Sequence, residues 1–204
     1  LIFSDKMDMA GIINYAKQNG VGVILWSSWR NLIQRGHEKM EEIMKHYGDM
    51  GVKGFKVDFM DRDDQQMVRF VYDAARTAAR HRLLLDLHGI FKPAGIQRTY
   101  PNVINFEGVH GLEQVKWSPV EVDQVTYDVT VPFIRMMAGP MDYTQGAMRN
   151  ASKANFRPVN SEPMSQGTRC RQLAEYVVFD APLAMLCDSP SAYGRERECL
   201  RFIS

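Results

Sequence analysis

The sequence lacks several features that mark large classes of protein. It has no run of ~18 apolar residues, which excludes a transmembrane helix. Its 25 basic and 24 acidic residues give a net charge of +1, so no basic excess points to nucleic acid or to an anionic membrane surface as a partner. The three cysteines, Cys170, Cys187 and Cys199, are widely spaced and form no C-x-x-C pair. This spacing argues against a zinc cluster and against a disulfide framework.

Two further absences concern the start of the chain and its first predicted strand. The opening LIFSDKMDMAG has neither a charged n-region nor a long apolar run, so it does not resemble a signal peptide. It also lacks an initiator Met, which indicates a start cut from a longer chain. After VGVIL the sequence continues WSSWRNL, without the Gly-rich phosphate fingerprint of nucleotide-binding folds.

Helical and strand-like patterns alternate along the chain. Short apolar runs predict strands, and stretches with helical spacing separate them; the strand-like runs are GVGVILWSSW, GFKVDFM, LLLDLHG and NVINFEGV. YDVTVPFIRMMAG fits a helix or a strand, and PLAMLCDSP is a last apolar run. This alternation predicts an α/β fold with a parallel sheet covered by helices, for which a doubly wound sheet and a (β/α)8 barrel both qualify.

Polar and aromatic side chains cluster where the predicted strands end, as they do at the catalytic face of a barrel. These residues are Trp26, Ser27, Trp29, Asp58, Asp61, Asp86, His88, Glu107, His110, Asp142, Tyr143 and Asp188. We count about six strands where a barrel has eight. The sequence therefore predicts an incomplete (β/α)8 TIM-type barrel with about six of eight βα units, as one domain over residues 1–204.

The stretch GVKGFKVDFMDRDDQ runs a predicted strand into a group of carboxylates. On an alternating strand Lys56 and Asp58 share one face, while Phe55, Val57 and Phe59 lie on the other. A lysine beside Asp58 keeps the carboxylate ionised, as a nucleophile must be. A structural salt bridge at the strand end is the competing interpretation.

Three further aspartates in this stretch, Asp61, Asp63 and Asp64, precede a predicted helix. Their position favours capping of its N-terminus over catalysis, although one of them could still reach substrate hydroxyls.

NFEGVHGLEQ carries two more carboxylates, Glu107 and Glu113, on a segment that Gly108 and Gly111 allow to turn sharply. Two carboxylates from different strands are the minimum for glycoside hydrolysis, in which one is the acid and the other the nucleophile or base. The alternative for Glu113 is an exposed loop residue.

Aromatic and histidine side chains supply further candidates. Trp26, Trp29 and Trp117 are able to stack on a sugar ring, although Trp26 continues an apolar strand and core packing suits it equally. His88 fits a hydrogen-bond donor to substrate, a metal ligand, or a polar residue with its bonds satisfied at a strand end.

Several long motifs together closely resemble glycoside hydrolase family 97. They are GVKGFKVDFMDRDDQ, LLLDLHGIFKPAGIQRTYPNVINFEGVHGLE, AGPMDYTQGAM and SQGTRCRQLAEYVVFDAPLAMLCDSP, in order and with compatible spacing through nearly all 204 residues. The resemblance implies an N-terminal β-sandwich, a central (β/α)8 barrel and a small C-terminal β domain. From this resemblance we expect the 204 residues to contain barrel sequence only, without the flanking β domains.

The resemblance also implies residue roles. Members of the inverting α-glucosidase branch carry a Glu directly after the strand-end His, where this chain has Gly89. The retaining branch uses an Asp at the position of Asp58 as the nucleophile. Glu113 matches its general acid/base, and Glu107 matches a calcium ligand, with other ligands supplied by the N-terminal domain.

The expectation is therefore a retaining glycoside hydrolase that cleaves terminal α-galactosides of an oligosaccharide substrate, with Ca2+ as cofactor. Lys56, Trp26, His88 and Asp86 are assigned to the substrate side. An inverting α-glucosidase and a non-catalytic sugar-binding barrel fragment are the alternatives. The resemblance also implies a periplasmic or secreted bacterial enzyme, and the balanced charge predicts no nucleic-acid or membrane partner.

Overall fold

The computed structural model describes residues 6–34 and 36–204. The first five residues, on which the prediction about the chain start depends, lie outside this part of the chain. The described residues belong to two compact units, Leu1–Phe106 and Glu107–Ser204.

The first unit is built on a four-stranded parallel sheet in the order β1-β2-β3-β4. Its strands are β1 (Ile24–Ser28), β2 (Gly54–Asp58), β3 (Leu84–Leu87) and β4 (Val103–Phe106). Helices come between and before them: α1 (Met9–Gln18), α2 (Trp29–Ile33), α3 (His37–Asp49), α4 (Gln65–Arg80) and α5 (Ile96–Thr99). The α/β prediction with a parallel sheet is confirmed, and the four runs named as strand-like each contain one of these strands.

The sheet has one apolar and one polar face because side chains alternate along each strand. Leu25, Phe55, Val57, Leu85 and Leu87 are buried in a core that also contains side chains from α3 and α4. Burial of this apolar surface is the main stabilising contribution to the unit. The intervening residues of the strands form the polar face.

Helix α4 covers the sheet through an Ala-rich apolar stripe that includes Phe70, Ala74 and Ala78. Its N-cap is Asp64, whose Oδ1 accepts a hydrogen bond from the Met67 N–H at 3.0 Å. The hydrogen bond from Arg62 is the main cause that lowers the Asp64 pKa, and the Met67 amide adds to it. The capping prediction is therefore confirmed for Asp64.

The second unit contains short helices, loops and a two-stranded parallel sheet. Its elements are 3-10 helices over Leu112–Lys116, Met136–Ala138 and Lys153–Asn155, strands β5 (Asn150–Ala151) and β6 (Ser165–Gln166), and helices α6 (Gln124–Arg135), α7 (Arg169–Val178), α8 (Pro190–Arg195) and α9 (Arg197–Ile203). The stretch that fitted a helix or a strand is helical: most of it lies in α6, which Asp123 caps, and its end forms the 3-10 helix over Met136–Ala138.

The last apolar run forms neither a helix nor a strand over residues 181–189, all of which are described. Instead it lies beside residues 141–148: the Met141 N–H donates to the Asp180 carbonyl at 2.7 Å, and the Cys187 N–H donates to the Gln145 carbonyl at 3.3 Å. Of about six predicted strands, four thus form one sheet among the described residues. None of the helices in the described part of the chain is both long and apolar enough to cross a membrane.

Candidate functional site

The polar face of the main sheet brings most of the predicted site residues of the first unit into one row. Trp26 is paired in register with Lys56, Lys56 with Asp86, and Asp86 with Asn105. One pair further along β1 and β2, Ser28 lies opposite Asp58. Because strands in a parallel sheet end at the same edge, these side chains form a continuous polar surface there.

Asp58 ends β2 and is half-buried at this edge. Both of its carboxylate oxygens accept hydrogen bonds. The Trp26 Nε1–H donates to Oδ2 at 2.9 Å, and the Phe59 backbone N–H donates to Oδ1 at 2.6 Å. The carboxylate is thus held in a fixed orientation while its surface remains partly open to solvent.

Two expectations about the neighbours of Asp58 are wrong. The core-packing alternative fails for Trp26, because this side chain is 45% exposed on the polar face. Phe59 does not join the buried face of β2, because the strand ends at Asp58 and the φ of Phe59 is +60°. Its ring is 58% exposed and meets the Trp26 ring edge-on, with centroids 5.5 Å apart.

Asp86 and His88 are buried on the same face, two residues apart at the end of β3. His88 Nε2 lies 3.7 Å from Asp86 Oδ2. The His88 backbone N–H donates to the Val57 carbonyl at 2.8 Å, which extends the β2–β3 ladder beyond β3 itself. An acidic and an imidazole side chain are therefore fixed beside the strand that carries Asp58.

Glu113 belongs to the second unit, on the 3-10 helix over Leu112–Lys116. The Leu112 N–H donates to the Tyr143 carbonyl at 2.9 Å, and a Cβ at Gly111 would lie 2.9 Å from the same oxygen. Because Gly111 has no Cβ, the chain at Gly111 and Leu112 can lie close to the Tyr143 carbonyl. Glu113 is half-buried and lines a cleft of about 130 Å³ whose other walls include Leu112, Pro163 and Met164.

A larger cavity of about 610 Å³ adjoins this cleft in the second unit and shares Lys116, Pro163 and Cys187 with it. Its lining is mostly polar and includes two ion pairs, Arg149–Glu162 at 2.9 Å and Arg169–Glu196 at 2.7 Å. Burial raises the pKa of the Cys187 thiol to about 12, so this side chain stays a neutral thiol at pH 7.

Glu107 is half-buried at the start of the second unit, and its backbone is held by Arg135. The buried Arg135 guanidinium donates to the carbonyls of Glu107 (3.1 Å), Gly108 (2.9 Å), Gly139 (3.1 Å) and Pro140 (2.9 Å). Burial lowers its pKa to about 10, which leaves it charged at pH 7.

Arg135 was missed in the sequence analysis, because an Arg near the end of a helical segment usually lies in solvent. No motif marks its burial. The carbonyl groups that bind it come from two separate loops, and only the folded chain brings them together.

The structure thus assembles Trp26, Lys56, Asp58, Asp86 and His88 on one sheet face of the first unit. In the second unit, Glu107 lies in a loop and Glu113 lies on the 3-10 helix that follows this loop. In α/β proteins with a parallel sheet, the ligand or active site lies at the carboxyl ends of the strands, which is where Asp58 and His88 lie. The sequence model of the family described as Glycoside hydrolase 97 matches residues 3–109. The chain belongs to glycoside hydrolase family 97.

Two curated relatives are similar over most of the chain. A retaining alpha-galactosidase of Bacteroides thetaiotaomicron is 61% identical over 199 residues, which are 98% of this chain and 30% of that protein. A probable retaining alpha-galactosidase of Streptomyces bingchenggensis is 31% identical over 182 residues, or 89% of this chain and 26% of that protein. The chain therefore spans less than a third of the length of these relatives.

Two solved structures are also similar to the chain. A family 97 enzyme from Pseudoalteromonas sp. strain K8, in complex with panose, matches with a TM-score of 0.81 and 28% identity, over 98% of this chain and 32% of that one. A beta-arabinopyranosidase matches with a TM-score of 0.81 and 26% identity, over 96% of this chain and 32% of that one.

Proposed function

We propose that the protein containing this chain is a retaining glycoside hydrolase that cleaves terminal α-galactosides through a covalent glycosyl-enzyme intermediate. The observation that carries this proposal is the state of Asp58: a partly exposed carboxylate whose two oxygens are held by Trp26 and by the Phe59 amide. A nucleophile must be both reachable and oriented. The two curated relatives, named as retaining alpha-galactosidases, support the choice of reaction and sugar.

The reaction takes two steps. In the first, Asp58 attacks the anomeric carbon, the bond to the departing oxygen breaks, and the Glu113 carboxyl gives its proton to that oxygen. In the second, Glu113 takes a proton from water, the water oxygen bonds to the anomeric carbon, and the bond to Asp58 breaks. Two inversions give net retention, and one water is consumed. The mechanism requires the two carboxyl groups to lie about 5–5.5 Å apart.

The residues beside Asp58 provide polar contacts for a sugar. Lys56, Asp86 and His88 lie on the same sheet face and offer charged or polar atoms suited to sugar hydroxyls. The exposed Trp26 ring offers an apolar surface for the C–H patches of a pyranose. An oligosaccharide substrate agrees with the panose and acarbose complexes of the Pseudoalteromonas enzyme.

We extend the proposal to the fold and to the metal. The four-stranded parallel sheet and the likeness to family 97 structures support part of a (β/α)8 barrel. The count of about six of eight βα units stays a prediction, because the sheet accounts for four strands among the described residues. The Glu107 carboxylate is half-buried and supplies the hard oxygen ligands that Ca2+ prefers. One carboxylate falls short of the six to eight oxygens such an ion takes. Bound calcium would supply positive charge that orients or polarises the substrate.

A hydrolysis assay of the full-length enzyme tests the function. An aryl α-galactoside should be cleaved much faster than the matching aryl α-glucoside, and NMR should detect α-galactose as the first product. The Asp58→Ala variant should lose on the order of a thousandfold or more in turnover. Azide should partly restore its reaction and give β-galactosyl azide. Turnover of Asp58→Ala close to that of the parent enzyme would remove Asp58 as the nucleophile, and β-galactose as first product would indicate inversion.

A further inference from the structure

The backbone directly after Asp58 adopts an uncommon conformation. Phe59 has φ +60° and Asp61 has φ +46°, so two of the first three residues after β2 lie in the left-handed region although neither is glycine. Bulky residues rarely adopt this conformation, and it persists only where surrounding contacts hold it. The segment 59–61 must therefore be held by its neighbours.

Gly89 packs against this segment. It follows His88 at the end of β3, and its carbonyl accepts a hydrogen bond from the Asp61 N–H at 2.6 Å. A Cβ on Gly89 would lie 3.0 Å from Asp61 Oδ1 and 3.1 Å from the backbone nitrogens of Phe59 and Met60. Two of these three atoms belong to the backbone, so a side chain here forces the segment to move.

The segment in turn fixes Asp58. The Phe59 N–H that would be displaced is the donor to Asp58 Oδ1, and the Phe59 ring contacts Trp26, which donates to Oδ2. Both hydrogen bonds to the carboxylate thus depend on where the segment 59–61 lies. Packing on Gly89 therefore affects Asp58 in two ways, through the Phe59 amide and through the Phe59–Trp26 ring contact.

We infer that Gly89 is a positioning residue for Asp58: its bare backbone lets the segment 59–61 close against it, and this closure orients the carboxylate for attack on the anomeric carbon. The inference rests on the proposed function, because it assigns to Gly89 an effect on the nucleophile of that reaction. If the inference holds, the segment 59–61 adopts its conformation only when residue 89 has no side chain.

The test compares Gly89→Ala with Gly20→Ala in the full-length enzyme. Both glycines have a positive φ, +56° at Gly89 and +72° at Gly20. A Cβ on Gly20 meets no atom within 4 Å, so Gly20→Ala places a side chain at a positive φ without the contact that Gly89→Ala makes. Gly89→Ala should lower kcat/KM for an aryl α-galactoside by about ten- to a hundredfold, mainly in kcat, since a small misplacement of a reacting group has effects of this size. Gly20→Ala should stay within twofold of the parent enzyme.

A second comparison shows whether Gly89 acts through Asp58. In the Asp58→Ala background azide replaces the carboxylate, so adding Gly89→Ala should leave the azide-dependent rate unchanged within twofold. The inference would be overturned if Gly89→Ala lowered the azide-dependent rate of Asp58→Ala by the same factor as it lowers kcat/KM of the parent enzyme. It would also be overturned if Gly89→Ala alone kept the kcat/KM of the parent enzyme. Absence of azide rescue in Asp58→Ala itself would instead count against the proposed function.

Phe59→Ala provides a second variant if Gly89→Ala does not fold. The Phe59 side chain is mostly exposed, so its removal leaves the core intact while it removes the contact with Trp26. It should also lower kcat/KM in the parent background and have no effect on the azide reaction. Any other pattern would contradict the account of the segment 59–61.

Discussion

Replacement of Arg135 is expected to destabilise the loop that begins at Glu107 and leads to the 3-10 helix of Glu113. One buried guanidinium holds four backbone carbonyls from two loops of the second unit, at residues 107–108 and 139–140. A hydrogen bond from a charged donor contributes about 1.5–3 kcal/mol. The four contributions do not add in full, because all four carbonyl residues are half-buried and water replaces part of what is lost. We therefore expect Arg135→Met to lower the free energy of unfolding by about 3–5 kcal/mol.

Urea unfolding of the full-length enzyme followed by fluorescence measures this loss, with Arg201→Met as the control for an exposed arginine. The free energy of unfolding of Arg135→Lys should lie between those of Arg135→Met and Arg201→Met. A lysine ammonium lacks the planar fork of the guanidinium and cannot reach all four carbonyls. If the free energy of unfolding of Arg135→Met lies within about 1 kcal/mol of that of Arg201→Met, the four hydrogen bonds do not stabilise the loop as described.

Three further predictions concern other parts of the chain. Burial raises the pKa of Glu175 to about 7, so the folded state keeps its proton where the unfolded chain releases it. Stability should fall as pH rises from about 4.5 to 7, by at most about 3 kcal/mol; urea unfolding at several pH values should find this slope in the parent and not in Glu175→Gln. Asp64→Ala should destabilise by about 1 kcal/mol through loss of the α4 cap, and an equally large loss in the exposed, non-capping Asp63→Ala would contradict this. Gly54→Ala should reduce the melting temperature sharply, since its Cβ would lie 2.5 Å from the Leu84 carbonyl oxygen; a parent-like melt would show that β2 and β3 separate easily.

The elements that the sequence predicts correctly are those whose signal is local. Helix α4 carries an apolar stripe within its own 16 residues and an acidic cap directly before them, and each of the four strands is a short apolar run. The alternation of β2 also places Lys56 and Asp58 together on its polar face. These features need no knowledge of distant contacts.

The features that could not be predicted depend on contacts far apart in sequence. Nothing in the residue types indicates that Phe59 adopts a positive φ, because the conformation follows from packing on Gly89, thirty residues later. Trp26 reads as a continuation of an apolar strand, yet its exposure follows from the face of the sheet on which it lies. PLAMLCDSP has the composition of a strand but lies beside residues 141–148 through irregular hydrogen bonds.

Covalent trapping tests the central claim most directly. Incubation of the full-length enzyme with 5-fluoro-α-galactosyl fluoride should accumulate a glycosyl-enzyme, because the fluorine slows its hydrolysis, and peptide mass spectrometry should then find the sugar on the peptide that contains Asp58. A sugar attached to any other carboxylate, or turnover with β-galactose as the first product and no adduct, would contradict the account.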